Sequence, residues 1–410
     1  MRAAELLRST HAVRERSGQL LARARRGESK WFAVDDSKLP ETAVEVAAVT
    51  RQRYPGLHIP LHSRWRHFEA GGVDRKAQLD AQLEGLDHAQ HAHAWIDLTV
   101  VSVLLDAGAG DAWKYTEPAT GKVFTRSEGL AVASFHAFTG GLFSSDRNRP
   151  LQVDAAGLRG LVADRLAEAF QVGPHNPLVG LEGRVVLLRR LGEAMSDRPE
   201  VFGDEVQRPG GLFDMLVSPL GPDAPPTADI AAHDILSQLL MSLSGIWPAS
   251  NAIHGIPLGD CWRHSAVQGE GDSSGWIPFH KLSQWLAYSL LEPFGWAGVK
   301  VHGLDQLTAL PEYRNGGLLL DSGVLKLKDD AFAAQTWQPG DEIIVEWRAL
   351  TVALLDELAL GVRSDLHRDE SQLPLACVLE GGTWAAGRAL AQKLRNGLPP
   401  LKVASDGTVF

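Results

Sequence analysis

The sequence predicts a mostly α-helical protein with a small β element near residues 318–347. Apolar residues recur at helical spacing through most of the chain, and aspartates stand where helix N-caps are needed. Only "LLLDSGVLKLK" (318–328) and "DEIIVEW" (341–347) read as extended, the second introduced by Pro339 and Gly340.

The elements follow in order. Residues 2–26 place Leu6, Leu7, Val13, Leu20 and Leu21 among arginines, as an amphipathic helix or helix pair. Helices are expected at 41–53 and at 74–86, the latter capped by Asp74. The segment 95–110 carries a β-branched run that leaves its period undecided; we read it as a buried helix closed by Gly108 and Gly110. Helices recur at 154–171 behind a capping Asp154, at 178–196, at 228–245, from Pro278 to about 294, and again at 348–361. Pro/Gly-rich connectors such as 208–214 and 220–228 separate them. No repeat or linker marks a boundary, so a single catalytic domain over 1–410 is expected, with 1–40 as an N-terminal helical extension.

The formal charge of −10 argues against a surface that coats nucleic acid, because phosphates must be met by excess Lys and Arg. Cys261 and Cys377 form neither a zinc motif nor a disulfide framework. The Arg-rich N-terminus lacks the apolar core of a signal peptide, and no window approaches a membrane-spanning length. A cytoplasmic protein with no nucleic-acid or membrane partner is expected.

Four stretches combine charge, aromatic rings and glycine or proline. "HSRWRHFEAGG" (62–72) sets Arg66 and His67 beside a double glycine, a grip for phosphate or a loop packed through Trp65 and Phe68. "GDCWRHSAV" (259–267) offers Trp262 and Arg263, as a binding surface or as a structural ion pair. On the helix after Pro278, Lys281, Trp285, Tyr288 and Glu292 fall along one side at i, i+4, i+7 and i+11. A lysine near a helix start opposes the dipole, so a carboxylate partner is expected. "LPEYRNGGLLLD" (310–321) places Glu312 and Asp321 among apolar residues, where paired carboxylates could activate water or steady a cation; equally, Glu312 and Arg314 could pair in a surface turn. His88, His91 and His93 are read as a partly exposed helix face, and no metal or cofactor is expected. No P-loop, dinucleotide fingerprint, nucleophile elbow or zincin motif occurs.

The strings "SRWRHFEAGG", "DLTVVSVLLDAGAG", "GDCWRH", "PFHKLSQWLAYSLLEP" and "LPEYRNGGLL" resemble the uracil catabolism protein four family over about residues 40–400. That resemblance implies a place in a route that opens the pyrimidine ring of a uracil nucleotide and releases urea. The C-terminal half is also similar to the queuosine-salvage N-glycosidases, an all-helical group similar to DNA glycosylases. Phe279, Lys281 and Gln284 match that group's Phe-x-Lys-x-x-Gln, and Glu312, Tyr313 and Arg314 match its acid-Tyr-Arg triplet about thirty residues on. Here the acid is Glu rather than Asp, and Asn315-Gly316-Gly317 replaces Val-Pro-Gln.

Together these imply a metal-independent hydrolase with a DNA-glycosylase-like helical core, cleaving the N-glycosidic bond of a phosphoribosyl-urea-type, ring-opened uridine nucleotide. Glu312 or Asp321 would supply the carboxylate, and Lys281 would hold Glu312 ionised. Tyr313 and Trp285 would wall the sugar or urea, while Arg314 with Arg66, His67 or Arg263, beside Trp262, would take the phosphate. Asp97 either binds ribose hydroxyls or caps a helix. The rival readings are an amidohydrolase on the ureido C–N bond and a non-catalytic partner of the pathway's cyclohydrolase-like enzyme.

Overall fold

The computed structural model describes residues 2–217, 229–247 and 251–404. They form two compact units, each assembled from separated stretches of chain: one from Met1–His62, Ser250–Gln284 and Gly303–Ala404, the other from Ser63–Ala249 and Trp285–His302. Most residues are helical, and the strands are two or three residues long.

The first unit is organised around the 25-residue helix Glu342–Leu366. Two apolar stripes run along it. Ile343, Trp347, Leu350 and Leu354 pack with Leu21, Phe32, Leu319 and Leu325, whereas Val345, Ala349 and Val352 pack with Val13, Leu20, Ile277 and Phe279. The stripes share the i, i+4, i+7 spacing but are offset by two residues, about 200° around a helix, so they face opposite ways. Each fully buried aliphatic side chain contributes about 1.5–3 kcal/mol, enough to override a local β-branched preference. This is why "DEIIVEW" is helical rather than extended.

The other expected strand is corrected in part. Residues up to Asp321 belong to the helix Tyr313–Asp321, and only Leu325–Leu327 is extended, paired antiparallel with Phe32–Val34. A Cβ at Gly316 would lie 2.7 Å from the indole of Trp347, whose Nε1–H donates to the Gly316 carbonyl at 3.1 Å. Glycine there lets the two helices close together. The N-terminal helix Thr10–Arg25 is part of the unit's core through Val13, Leu20 and Leu21, with Ser9 as its N-cap.

In the second unit the helix His88–Leu104 carries the apolar 95–104 run and begins with a capping box made by Asp87 and Gln90. Asp74 and Asp154 cap their helices as expected. The expected 154–171 helix is two, Ala155–Arg159 and Ala163–Ala169, interrupted at Gly160. Residues Asp229–Ala231 form a parallel pair with Lys300–His302 before the helix Ala232–Leu243. The connector 220–228 lies outside the described residues. Among the described residues no helix is long and apolar enough to cross a membrane.

Candidate active site

The helix Lys281–Trp296 starts where Asp260 makes it start. Oδ2 of Asp260 accepts the main-chain N–H of Lys281 at 2.9 Å, and its carbonyl accepts those of Phe279 and His280. The same carboxylate takes both terminal nitrogens of Arg348, at 2.8 and 2.7 Å, and the Trp262 indole N–H at 2.6 Å. Burial alone would raise its pKa; the Arg348 guanidinium overcomes this and holds it well below the usual carboxylate range. Arg348 in turn lies over the Phe279 ring at 4.2 Å. Asp260 and Trp262 therefore fix the entry to Lys281.

His280, one residue earlier, has φ 50°, a left-handed conformation that costs a non-glycine residue about 1–3 kcal/mol. Burial pushes its pKa down, and the neutral ring donates from Nε2 to the Leu7 carbonyl at 2.7 Å.

Glu312 follows Pro311 and is the N-cap of Tyr313–Asp321, accepting N–H groups from Arg314 at 2.7 Å and Asn315 at 2.5 Å. The segment leading to it is pinned to the Lys281 helix by Gln284. Its Oε1 accepts the Thr308 N–H at 3.1 Å, and its Nε2 donates to the Thr308 hydroxyl. Asn315 reaches back to the Leu310 carbonyl at 3.2 Å.

Burial raises the pKa of the Glu312 carboxyl above the ordinary range. The N–H groups of Arg314 and Asn315, then Lys281 and His62, oppose that rise without cancelling it.

Two further groups join this neighbourhood that sequence reasoning passed over. His62 Nδ1 lies 2.9 Å from Oε2 of Glu380, and the His62 main-chain N–H donates to the Ala376 carbonyl. Glu380 sits in the π-helical turn Leu379–Thr383, 8% exposed, and also accepts from Arg53 at 3.0 Å and from the Tyr54 hydroxyl at 3.1 Å. Despite burial these donors, His62 foremost, bring its pKa down to about 2. The available signals were slight: His62 opens the 62–72 motif, and Glu380 is a lone acid in "ACVLEGGTW".

The other residues singled out by sequence fall elsewhere. Asp321 is at the opposite end of its helix from Glu312, about 13 Å along the axis, and accepts two hydrogen bonds from the Arg395 guanidinium at 2.6 and 2.5 Å. The structure does not bring the two acids together. Arg314 is buried, stacks on the Tyr313 ring at 4.7 Å and donates to the Gly397 carbonyl at 3.0 Å rather than pairing with Glu312 through its side chain. Tyr313 is 39% exposed. Arg263 lies over Trp276 at 3.9 Å and donates to Ser274.

In the second unit, Arg66 is matched by Glu69 at 2.9 Å and Glu292 at 2.7 Å. His67 Nδ1 accepts from Arg64 at 3.1 Å, and its ring lies 6.0 Å from that of the buried Trp285. Asp97 is fully buried, with its oxygens taken by Arg208 and by the N–H groups of Val153 and Gly210. It is a structural anchor, with no oxygen left for ribose. His91 meets the Leu83 carbonyl, His93 meets Asp214, and His88 is exposed. Among the described residues no three His, Cys, Asp or Glu side chains form a metal-ligating group.

Residues 6–410 match the family described as a protein of unknown function, DUF1688. The chain is 42% identical over 414 residues to Protein urg3 of Schizosaccharomyces pombe, covering 98% of each. It is 39% identical over 434 residues to Uracil catabolism protein 4 of Lachancea kluyveri, again covering 98% of each. Matched from end to end by that family and by two relatives at these identities, the chain belongs to the DUF1688 family.

Proposed function

We propose that this protein acts in uracil degradation as a hydrolase that cleaves the N-glycosidic bond of a ribosylurea 5-phosphate or a closely related ring-opened nucleotide. The products would be urea, or a ureido compound, and ribose 5-phosphate. The name of the Lachancea relative supports the pathway. The match of Phe279, Lys281, Gln284, Glu312, Tyr313 and Arg314 to the queuosine-salvage N-glycosidase pattern supports the bond.

One observation carries the reading: a half-buried carboxylate, Glu312, held on a helix N-terminus with a lysine charge in reach. Rupture of the glycosidic bond builds positive charge at the anomeric carbon, and a fixed carboxylate lowers that barrier most where water is excluded. As the bond opens, the same group takes a proton from the attacking water. The N–H groups of Arg314 and Asn315 and the charge of Lys281 favour its ionised form and oppose the effect of burial. Tyr313, next in the chain and exposed, offers the adjoining aromatic surface to the sugar.

The test is product analysis by mass spectrometry after the purified protein is mixed with ribosylurea 5-phosphate. Urea and ribose 5-phosphate in equal amounts support the reading. Ammonia and carbon dioxide in place of urea would make it an amidohydrolase, and an unchanged substrate would leave it a binding protein.

A further inference from the structure

His280 is buried and holds a left-handed backbone, φ 50°, a conformation that suits glycine and strains a residue with a Cβ. Such strain persists only where the surroundings over-determine it, and three hydrogen bonds do so here. The main-chain N–H of His280 donates to the Asp260 carbonyl at 3.1 Å, and its own carbonyl accepts the Gln284 N–H at 2.8 Å. Its ring faces the Leu7 carbonyl at 2.7 Å, so Nε2 carries the hydrogen. Leu7 is buried with Ala4 against Ile253, Leu258, Cys261 and Trp276, and Arg8 donates to the Pro257 carbonyl at 3.1 Å. The acceptor for His280 is therefore a fixed point.

The left-handed turn gathers three successive N–H groups, those of Phe279, His280 and Lys281, onto the single residue Asp260. A left-handed residue within such a run is what lets neighbouring N–H groups converge. From Asp260 the contacts continue toward Glu312. The Asp260 carboxylate holds both terminal nitrogens of Arg348, and Arg348 Nε donates to the carbonyl of Pro311, the residue before Glu312, at 3.4 Å. A second path runs through Gln284, whose main-chain N–H is on His280 and whose side-chain amide holds Thr308. Both paths lie within the first unit.

Resting on the N-glycosidase reading above, we propose that His280 is a positioning residue of the site. Its left-handed backbone, locked by the Leu7 carbonyl, sets the start of the Lys281 helix and, through Asp260 and Gln284, the N-cap at Glu312. The segment that carries Leu7 is thereby part of the scaffold of the site. His280 acts through these neighbours and exchanges no proton.

The test separates backbone from ring. His280→Gln keeps a side-chain donor of similar reach. His280→Gly adopts the left-handed conformation without strain but has no donor, and His280→Asn, also tolerant of that conformation and too short to reach Leu7, is a second donor-free variant. On ribosylurea 5-phosphate both donor-free variants are expected to lose about 10–100-fold in kcat with KM changed less than about threefold, and His280→Gln to stay within about fivefold of wild type. Amide hydrogen exchange reads the link without turnover. In the donor-free variants the N–H groups of Lys281, Arg314 and Asn315 are expected to lose protection together, by about tenfold or more, while those of the helix His88–Leu104 keep theirs. Full kcat in a folded donor-free variant, an equal loss in His280→Gln, or protection lost at Lys281 but kept at Arg314 and Asn315 would overturn the proposal. Wild-type protein that leaves ribosylurea 5-phosphate unchanged would overturn the N-glycosidase reading, and the exchange result then decides the positioning role by itself.

Discussion

Gln284 holds Thr308 by both ends of its amide, accepting the main-chain N–H at 3.1 Å and donating to the side-chain hydroxyl. The helix that begins at Lys281 is thereby joined to the segment that delivers Glu312. Both partners are buried, so cutting the link leaves a peptide N–H without an acceptor. Gln284→Ala is expected to cost about 1–3 kcal/mol of stability and to lower kcat more than it raises KM. Chemical denaturation and steady-state kinetics on ribosylurea 5-phosphate check the two parts.

Asp321 belongs to a different structure. Its pairing with Arg395 ties the end of one helix to the end of another, with 3% of the acid and 27% of the arginine side chain exposed. Asp321→Asn is expected to destabilise by about 1–3 kcal/mol and to leave kcat/KM unchanged. A large loss of turnover in a folded Asp321→Asn protein would return this acid to the site.

Glu380 should register in acid stability. Its folded pKa is lowered from 4.5 to about 2, so its stabilising contribution is fully present above the unfolded value and is lost as pH falls toward 2. That contribution is on the order of 3 kcal/mol. Glu380→Gln is therefore expected to unfold more easily at pH 7, with the gap to wild type closing between pH 4.5 and about 2. Denaturation midpoints measured across that range check it.

The raised pKa of Glu312 fixes the sign of a second pH effect. The carboxylate acts only when ionised, so turnover is present above its folded pKa and falls as pH drops through it. The acid limb of kcat/KM is expected above about 4.3, the ordinary glutamate value. A limb at or below that value would mean that a solvated carboxylate controls the rate.

Much of the fold and part of the site were legible in the sequence. Asp74 and Asp154 lie at helix starts because a short acceptor there satisfies N–H groups that nothing else can reach, which is a local matter. "DEIIVEW" misled because Ile343, Ile344 and Val345 serve two opposite packing faces, and that is decided by partners such as Phe32 and Phe279, both far from them in the chain. Asp321 looked equivalent to Glu312, since nothing local reveals that Arg395 waits 74 residues on. His62 and Glu380 are separated by 318 positions, and only the folded chain places them together.

The most direct test of the central claim is kcat/KM for Glu312→Gln against wild type on ribosylurea 5-phosphate. Glutamine keeps one of the two oxygens that accept at the helix N-cap while removing the charge, so the fold is expected to survive with some change in its midpoint. A loss of about 10²–10⁴-fold in a protein that still unfolds in one cooperative transition is the predicted result. Undiminished turnover by that variant would contradict the account.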